Sequence, residues 1–183
     1  MVTELDVSGL LHNSDLVMYD RYEGSLWQQV TGEAIVGPAA QRYEQLEQIP
    51  IITTSWSAWK SQYPETEVLA REPGVRGYEM YPYGTYEEND EIYFGVEGLD
   101  TSLQIKTEVY GIGLGDASKA YPASISDDIE TISDSVNGEQ LILTRNNDSS
   151  ITVIFSSGED IIPIRLFWFA WAAFHPDTEM YQK

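Results

Sequence analysis

The stretch Trp56-Ser57-Ala58-Trp59, followed by Pro64-Glu65-Thr66-Glu67, occurs twice in this sequence. Its second occurrence reads Trp168-Phe169-Ala170-Trp171 and then Pro176-Asp177-Thr178-Glu179. When the two segments are aligned over windows of fourteen residues, six positions are identical. This similarity indicates an internal duplication, which is the main architectural signal of the chain and says nothing about chemistry.

Each copy predicts a short helix. Trp56, Trp59 and Tyr63 are spaced at i, i+3 and i+7, which places them on one face of a helix. Either Thr53 or Thr54 can cap its start, and the proline after Tyr63 limits the helix to two or three turns. The second copy repeats this plan with Trp168, Trp171 and His175. Since His175 aligns with Tyr63, we interpret it as a packing residue at a helix end.

The rest of the chain is rich in strand and turn signals. Polar turn residues at His12-Asn13-Ser14-Asp15 separate two apolar runs and predict a hairpin. Asn137-Gly138 is the clearest hairpin signal in the sequence, because both residues tolerate the positive φ of a tight turn. After the first predicted helix, Glu67-Val68-Leu69-Ala70 is expected to continue as an extended strand. We therefore predict an α+β fold, mostly antiparallel β, with two short Trp-bearing helices and a degenerate internal repeat.

The predicted organisation is a single compact domain spanning residues 1–183. It consists of two pseudo-repeats, residues 1–70 and 91–183, joined by an aromatic loop over residues 71–90. This loop is rich in Pro, Gly and Tyr, and connections of this length are uncommon without a purpose. We expect it to be either a binding surface or a mobile linker.

Composition limits the classes of partner. A formal net charge of −20, from 30 acidic and 10 basic residues, argues against nucleic acid and against an anionic membrane surface. We interpret the acidic, lysine-poor surface as adaptation to concentrated salt, and an ordinary acidic mesophilic protein is the alternative. The absence of cysteine excludes disulfides and thiolate sites. No membrane span or signal peptide is evident, so a soluble protein of unknown localisation is expected.

Several blocks resemble one known family. The run from Val7 to Arg21, its continuation through Gly24 to Trp27 and Thr31 to Pro38, and the blocks 119–122 and 168–178 are similar to those of the DUF3179 family. This family has no assigned function, so the resemblance implies a fold relationship and no reaction. Its members usually have two repeats, each opened by an Ala-Tyr-Pro block, with a Cys-Pro-x-Cys segment before the first Gly-Leu-Leu block. By this resemblance, the chain is expected to begin after that segment and to hold the back of one repeat followed by an abbreviated second repeat.

One set of residues suggests acid–base chemistry. An imidazole, carboxylates and a guanidinium near one hairpin end can serve as acid, base and charge stabiliser. The candidate catalytic residues are His12, Asp15, Asp20, Arg21 and Glu33. The alternative is structural: Asp15 would set a turn, and Asp20 and Arg21 would form a structural pair beside another turn.

A second set suggests ligand binding. The loop tyrosines are the candidates for exposed contact: Tyr78, Tyr81, Tyr83 and Tyr86. The tryptophans are expected to pack in the core, because four of the five lie in the duplicated helices. Gly111-Ile112-Gly113-Leu114-Gly115 is not expected to bind a nucleotide, since no helix start follows it. No metal site or cofactor is predicted.

The favoured function is a non-catalytic binding or interaction module with an unknown protein or small-molecule partner, and an acid–base hydrolase is the alternative.

Overall fold

Three four-stranded sheets and a few short helices make up the computed structural model, which describes residues 3–49, 51, 53–70, 81–125, 130–146 and 150–182. The N-terminal sheet has the order β1-β2-β3-β4, the central sheet β11-β5-β6-β12 and the outer sheet β10-β9-β8-β7. The strands are β1 (Leu5–His12), β2 (Asp15–Asp20), β3 (Leu26–Gln28), β4 (Ala34–Val36), β5 (Glu108–Leu114), β6 (Ala117–Pro122), β7 (Thr131–Val136), β8 (Glu139–Arg145), β9 (Ile151–Phe155), β10 (Asp160–Ile161), β11 (Ile164–Phe167) and β12 (Glu179–Met180). The helices are α1 (Pro38–Gln41), α2 (Trp56–Gln62), a 3-10 turn (Tyr86–Glu88) and α3 (Trp168–Phe174).

Both predicted hairpins are confirmed. Asn13 and Ser14 connect β1 to β2 with φ of 49° and 65°, and Asn137 and Gly138 connect β7 to β8 with φ of 51° and 79°. Positive φ at both central residues gives the turn a twist that matches the flanking strands. All neighbouring strands are antiparallel except β12, which lies parallel to β6. The predicted mostly antiparallel fold with two short Trp-bearing helices is therefore confirmed.

The central sheet is buried on both faces. Side chains alternate along β5, so Tyr110 and Ile112 face the outer sheet while Val109 and Gly111 face α3. On the outer-sheet side the core continues with Leu141, Leu143 and Val153, among others. On the helix side Trp168, Trp171 and Ala172 of α3 close the core.

The glycines of β5 have a packing role. A Cβ placed on Gly111 would lie 2.2 Å from Cε3 of Trp171, so only glycine lets the indole lie flat on the strand. A Cβ on Gly113 would lie 3.8 Å from the His175 ring. The Gly-rich run 111–115 thus forms a strand and turn beneath α3.

Helix α2 differs from α3 in burial. It begins after Ser55, whose Oγ accepts a hydrogen bond from the Ala58 amide at 3.2 Å, so the predicted cap at Thr53 or Thr54 is wrong. No residue of α2 is buried. Residues 67–70 pair with no strand among the described residues, which corrects the strand predicted there. The organisation into two pseudo-repeats stays a prediction.

Candidate binding cleft

Asp20 is a structural residue of the N-terminal sheet. It is 2% exposed, and its carboxylate accepts hydrogen bonds from the amides of Tyr22, Glu23 and Ser25 and from the indole of Trp27 at 2.7–3.0 Å. These donors, the Glu23 amide foremost, lower the pKa of Asp20. The Asp20 carboxylate oxygens thus accept hydrogen bonds that stabilise the turn between β2 and β3.

The other predicted catalytic residues do not converge on Asp20. Asp15 and Asp20 lie at opposite ends of β2, about 16 Å apart at about 3.3 Å per residue. Arg21 is exposed, and its guanidinium pairs with Asp6 and, at 3.7 Å, with Glu4. General acid–base partners must lie within about 3 Å of the group they serve. The hydrolase alternative gains no support from this placement and stays a prediction.

His12 contacts the end of α3, and the charge of Glu33 acts on His175 at that end. The His12 ring contacts Phe174 with centroids 5.6 Å apart, and the neighbouring Asn13 donates a hydrogen bond to the Ala173 carbonyl at 3.3 Å. Burial lowers the pKa of His175, and the negative charge of Glu33 acts on it in the opposite direction. These contacts attach the N-terminal sheet to α3.

Asp15 belongs to a polar network that sequence analysis did not find. Its Oδ2 accepts hydrogen bonds from the side-chain amide of Gln28 at 2.7 Å and from the amide of Gln29 at 3.1 Å. Gln28 is buried, and its carbonyl accepts from the amide and the hydroxyl of Thr31. Burial raises the pKa of Asp15 despite these donors. The network holds a half-buried carboxyl group in place.

Asp15 lines a cleft of about 520 Å³ between the N-terminal sheet and the other two sheets. This volume lies within the range of about 300–1,000 Å³ that is typical of small-molecule sites. Aliphatic side chains dominate the walls, with a few polar groups among them. The lining residues are Asp15, Gln29, Val30, Gly32, Leu46, Glu47, Gln48, Ile49, Ile51, Thr53, Tyr110, Ser150, Ile151, Ile162, Pro163, Ile164, Arg165 and Leu166.

Arg165 is the one cationic side chain among the described residues that line the cleft, and it already has a partner. Its guanidinium pairs with Glu108 and lies 5.9 Å from the Tyr110 ring centroid. The carboxylates of Asp15 and Glu47 therefore give the cleft its acidic character. The sequence held no local signal for the cleft, because its residues come from distant parts of the chain.

The described part of the aromatic loop is mostly exposed. Tyr81 and Tyr83 are each 54% exposed, with ring centroids 5.7 Å apart. Tyr86 is partly buried, and the Lys106 ammonium lies 3.4 Å from its ring centroid. Tyr78 lies outside the described residues. Ligand binding by these tyrosines stays a prediction.

A second network missed by sequence analysis joins the central and outer sheets. The Lys119 ammonium pairs with Asp134 at 2.8 Å, and the Tyr121 hydroxyl donates to the same carboxylate at 2.9 Å. Burial alone would raise the pKa of Asp134, but these partners and the Ser135 amide outweigh it and lower that pKa. The contacts cross-link β6 and β7, so we assign them a structural role.

Two findings concern metals and membranes. Within the described ranges, no group of three or more His, Asp or Glu side chains is placed to hold a metal ion. Across the same ranges, no helix is long and apolar enough to cross a membrane.

Comparison with known proteins supports the resemblance found in the sequence. The chain matches the family of proteins of unknown function DUF3179 over residues 1–160, and no curated protein or solved structure matches it. The matched range includes α2 and the hairpin β5–β6 and ends before β11 and α3. Because the match covers most of the sequence, the chain belongs to the DUF3179 family.

Proposed function

We propose that this protein is a non-catalytic binding module whose ligand occupies the cleft beside Asp15. The observation that carries the proposal is the cleft itself: about 520 Å³, mostly aliphatic, with a positioned carboxylate at its edge. Sites for small molecules combine such apolar walls with a few fixed polar groups. The separation of the predicted acid–base residues supports binding rather than catalysis.

The chemistry of the cleft indicates the class of ligand. The aliphatic walls favour a hydrocarbon body, and Asp15 favours a head group that donates hydrogen bonds or carries positive charge. An anionic head group would face the Asp15 and Glu47 carboxylates and is disfavoured. The net charge of −20 likewise supports a partner other than nucleic acid or an anionic membrane.

A matched set of small probes tests this proposal. Heptylamine, heptanol and heptanoate share a chain length and differ in head group, and NMR titration would report shifts at the Gln29 and Val30 amides. We expect heptylamine to bind most tightly and heptanoate most weakly.

Asp15→Asn should weaken the binding of heptylamine about tenfold, as expected for losing one charge-assisted hydrogen bond, whereas Asp116→Asn at an exposed turn should have no effect. Equal binding of the three probes, or shifts confined to other residues, would contradict the proposal.

We also propose that the acidic surface adapts the protein to salt. With 30 acidic and 10 basic residues, carboxylate repulsion opposes the compact state, and salt screens it to within about 3 Å at 1 M. The urea midpoint of unfolding should therefore be higher in molar KCl than in dilute buffer. An unchanged midpoint would favour the ordinary acidic mesophilic alternative.

A further inference from the structure

The two copies of the tryptophan segment fold alike in detail. The Trp59 indole donates to the Thr66 hydroxyl at 2.9 Å, and in the second copy the Trp171 indole donates to Thr178 at 2.9 Å. Trp59 packs on the Tyr63 ring with centroids 4.4 Å apart, and Trp171 packs on His175 at 3.8 Å. Both helices contain seven residues, and the C-cap of each, Tyr63 or His175, is the residue before a proline. The same local unit is therefore present twice.

The second copy shows what this unit packs against. Trp171 lies flat on Gly111 of β5, where a side chain would collide with the indole. After the helix, Glu179 and Met180 form β12, a short parallel strand on the edge of β6. The hairpin β5–β6 thus receives both parts of the unit, the helix on its face and the following strand at its edge.

The first copy has no such cover among the described residues. Trp56 is 54% exposed, whereas the aligned Trp168 is 2% exposed. Val68 and Leu69 align with Met180 and Tyr181, and they are 66% and 97% exposed. Large exposed apolar side chains that lie close together on a surface are a usual mark of an interaction site.

Charge gives a further indication. Glu67 aligns with Glu179, whose carboxylate lies 3.8 Å from the Lys119 ammonium of β6. In the first copy Glu67 is exposed, and the nearby Lys60 ammonium is bonded to the carbonyls of Pro64 and Thr66. The edge that receives Glu67 is therefore expected to carry a cation where β6 carries Lys119.

We propose that α2 and residues 65–69 form a docking surface for an antiparallel β-hairpin supplied by another polypeptide segment. One strand of this hairpin has glycine beneath the Trp59 indole. Its other strand has a free edge that accepts Glu67 and Val68 as a parallel strand and bears a lysine or arginine. A second copy of this chain does not fit, because its own β5–β6 hairpin is already covered by α3 and β12.

The experiment uses the full chain and a backbone-cyclised peptide with the sequence of residues 108–122, which carries the required glycine and lysine. NMR titration should shift the Trp59 indole and Trp56 signals and slow amide exchange at Val68. A Gly111→Ala peptide should bind at least about tenfold more weakly, because its methyl group occupies the place of the indole. Trp59→Ala in the protein should have a similar effect, and Tyr43→Ala, at another exposed aromatic residue, should have none.

Three results would overturn the proposal. The first is the absence of saturable binding at about 1 mM peptide, the effective concentration that a short tether provides. The second is equal binding of the Gly111→Ala peptide, which would show that the indole does not lie on glycine. The third is dimerisation of the protein alone that Trp59→Ala abolishes, because the occupant would then be a second copy of the chain.

Discussion

Helices α2 and α3 contain the same tryptophan spacing, end at equivalent residues and make the same indole-to-threonine hydrogen bond, yet they differ in burial. Trp171 is fully buried on the central sheet, while its counterpart Trp59 is only partly covered. Local sequence therefore determines the shape of the unit. Burial of the helix requires a strand from another part of the fold with glycine beneath the indole. In the second copy that strand is β5, and the glycine is Gly111.

The largest difference should appear when the aligned indoles are removed. Trp171→Ala is expected to lower the free energy of unfolding by about 4 kcal/mol, because it empties a core position. Trp59→Ala should cost less than about 1 kcal/mol, since this side chain is partly exposed. Urea unfolding followed by circular dichroism gives both values. Equal losses would show that the two helices are equally covered in solution.

A smaller effect is expected from adding one methyl group beneath α3. Gly111→Ala should cost about 2 kcal/mol in the same unfolding measurement, because the new Cβ would force the Trp171 indole to move. Gly95→Ala is the matched control, since a Cβ there has no atom within 4 Å. A neutral Gly111→Ala variant would mean that α3 does not rest on this glycine.

The smallest effect concerns pH and the residues that end the two helices. Burial lowers the pKa of His175 below its ordinary value of about 6.5, so the unfolded chain takes up a proton more readily than the folded protein does. The contribution of His175 to the free energy of unfolding should therefore fall as pH decreases below about 6.5. His175→Tyr, which installs the residue found at position 63, should remove this contribution and make the acid side of the stability profile flatter.

The matched control is Tyr63→His at the exposed end of α2, which should leave the pH profile nearly unchanged. Unfolding midpoints measured between pH 5 and 8 would show the difference between the variants. An identical slope for wild type and His175→Tyr would contradict the burial of this imidazole.

Elements whose signals lie within a few residues were predictable from the sequence. Turn-forming residues predicted the connections at Asn13-Ser14 and Asn137-Gly138, which adopt positive φ, and tryptophan spacing with a terminating proline predicted both helices. The cap of α2 was misplaced by one or two positions because Ser55 and the two threonines before it are chemically similar. Residues 67–70 pair with no strand within the part of the chain that the structure describes, because pairing requires a hydrogen-bonded neighbour that local sequence does not specify.

The candidate site was harder to predict. The sequence suggests acid–base chemistry for Asp15, which stays a prediction, and it does not reveal that Asp15 lines an apolar cleft. The opposite wall comes from residues near Tyr110 and Ile164, which are distant in sequence. Gln28 and the Lys119–Asp134 pair carry no local pattern either. These sites arise from tertiary packing, and periodicity contains no information about it.

The topology of the central sheet also predicts an order of assembly during folding. Its strand β11 pairs with β5 in the register Ile164 to Gly111, so more than 50 residues of chain must be spanned before α3 can place Trp171 on β5. The outer sheet forms from this intervening chain by short hairpins, which shortens the loop and reduces the entropy lost on closing it. We expect pulse-labelled hydrogen exchange to show protection of β7, β8 and β9 before β11. Trp168 and Trp171 would then be among the last parts of the core to leave water during folding.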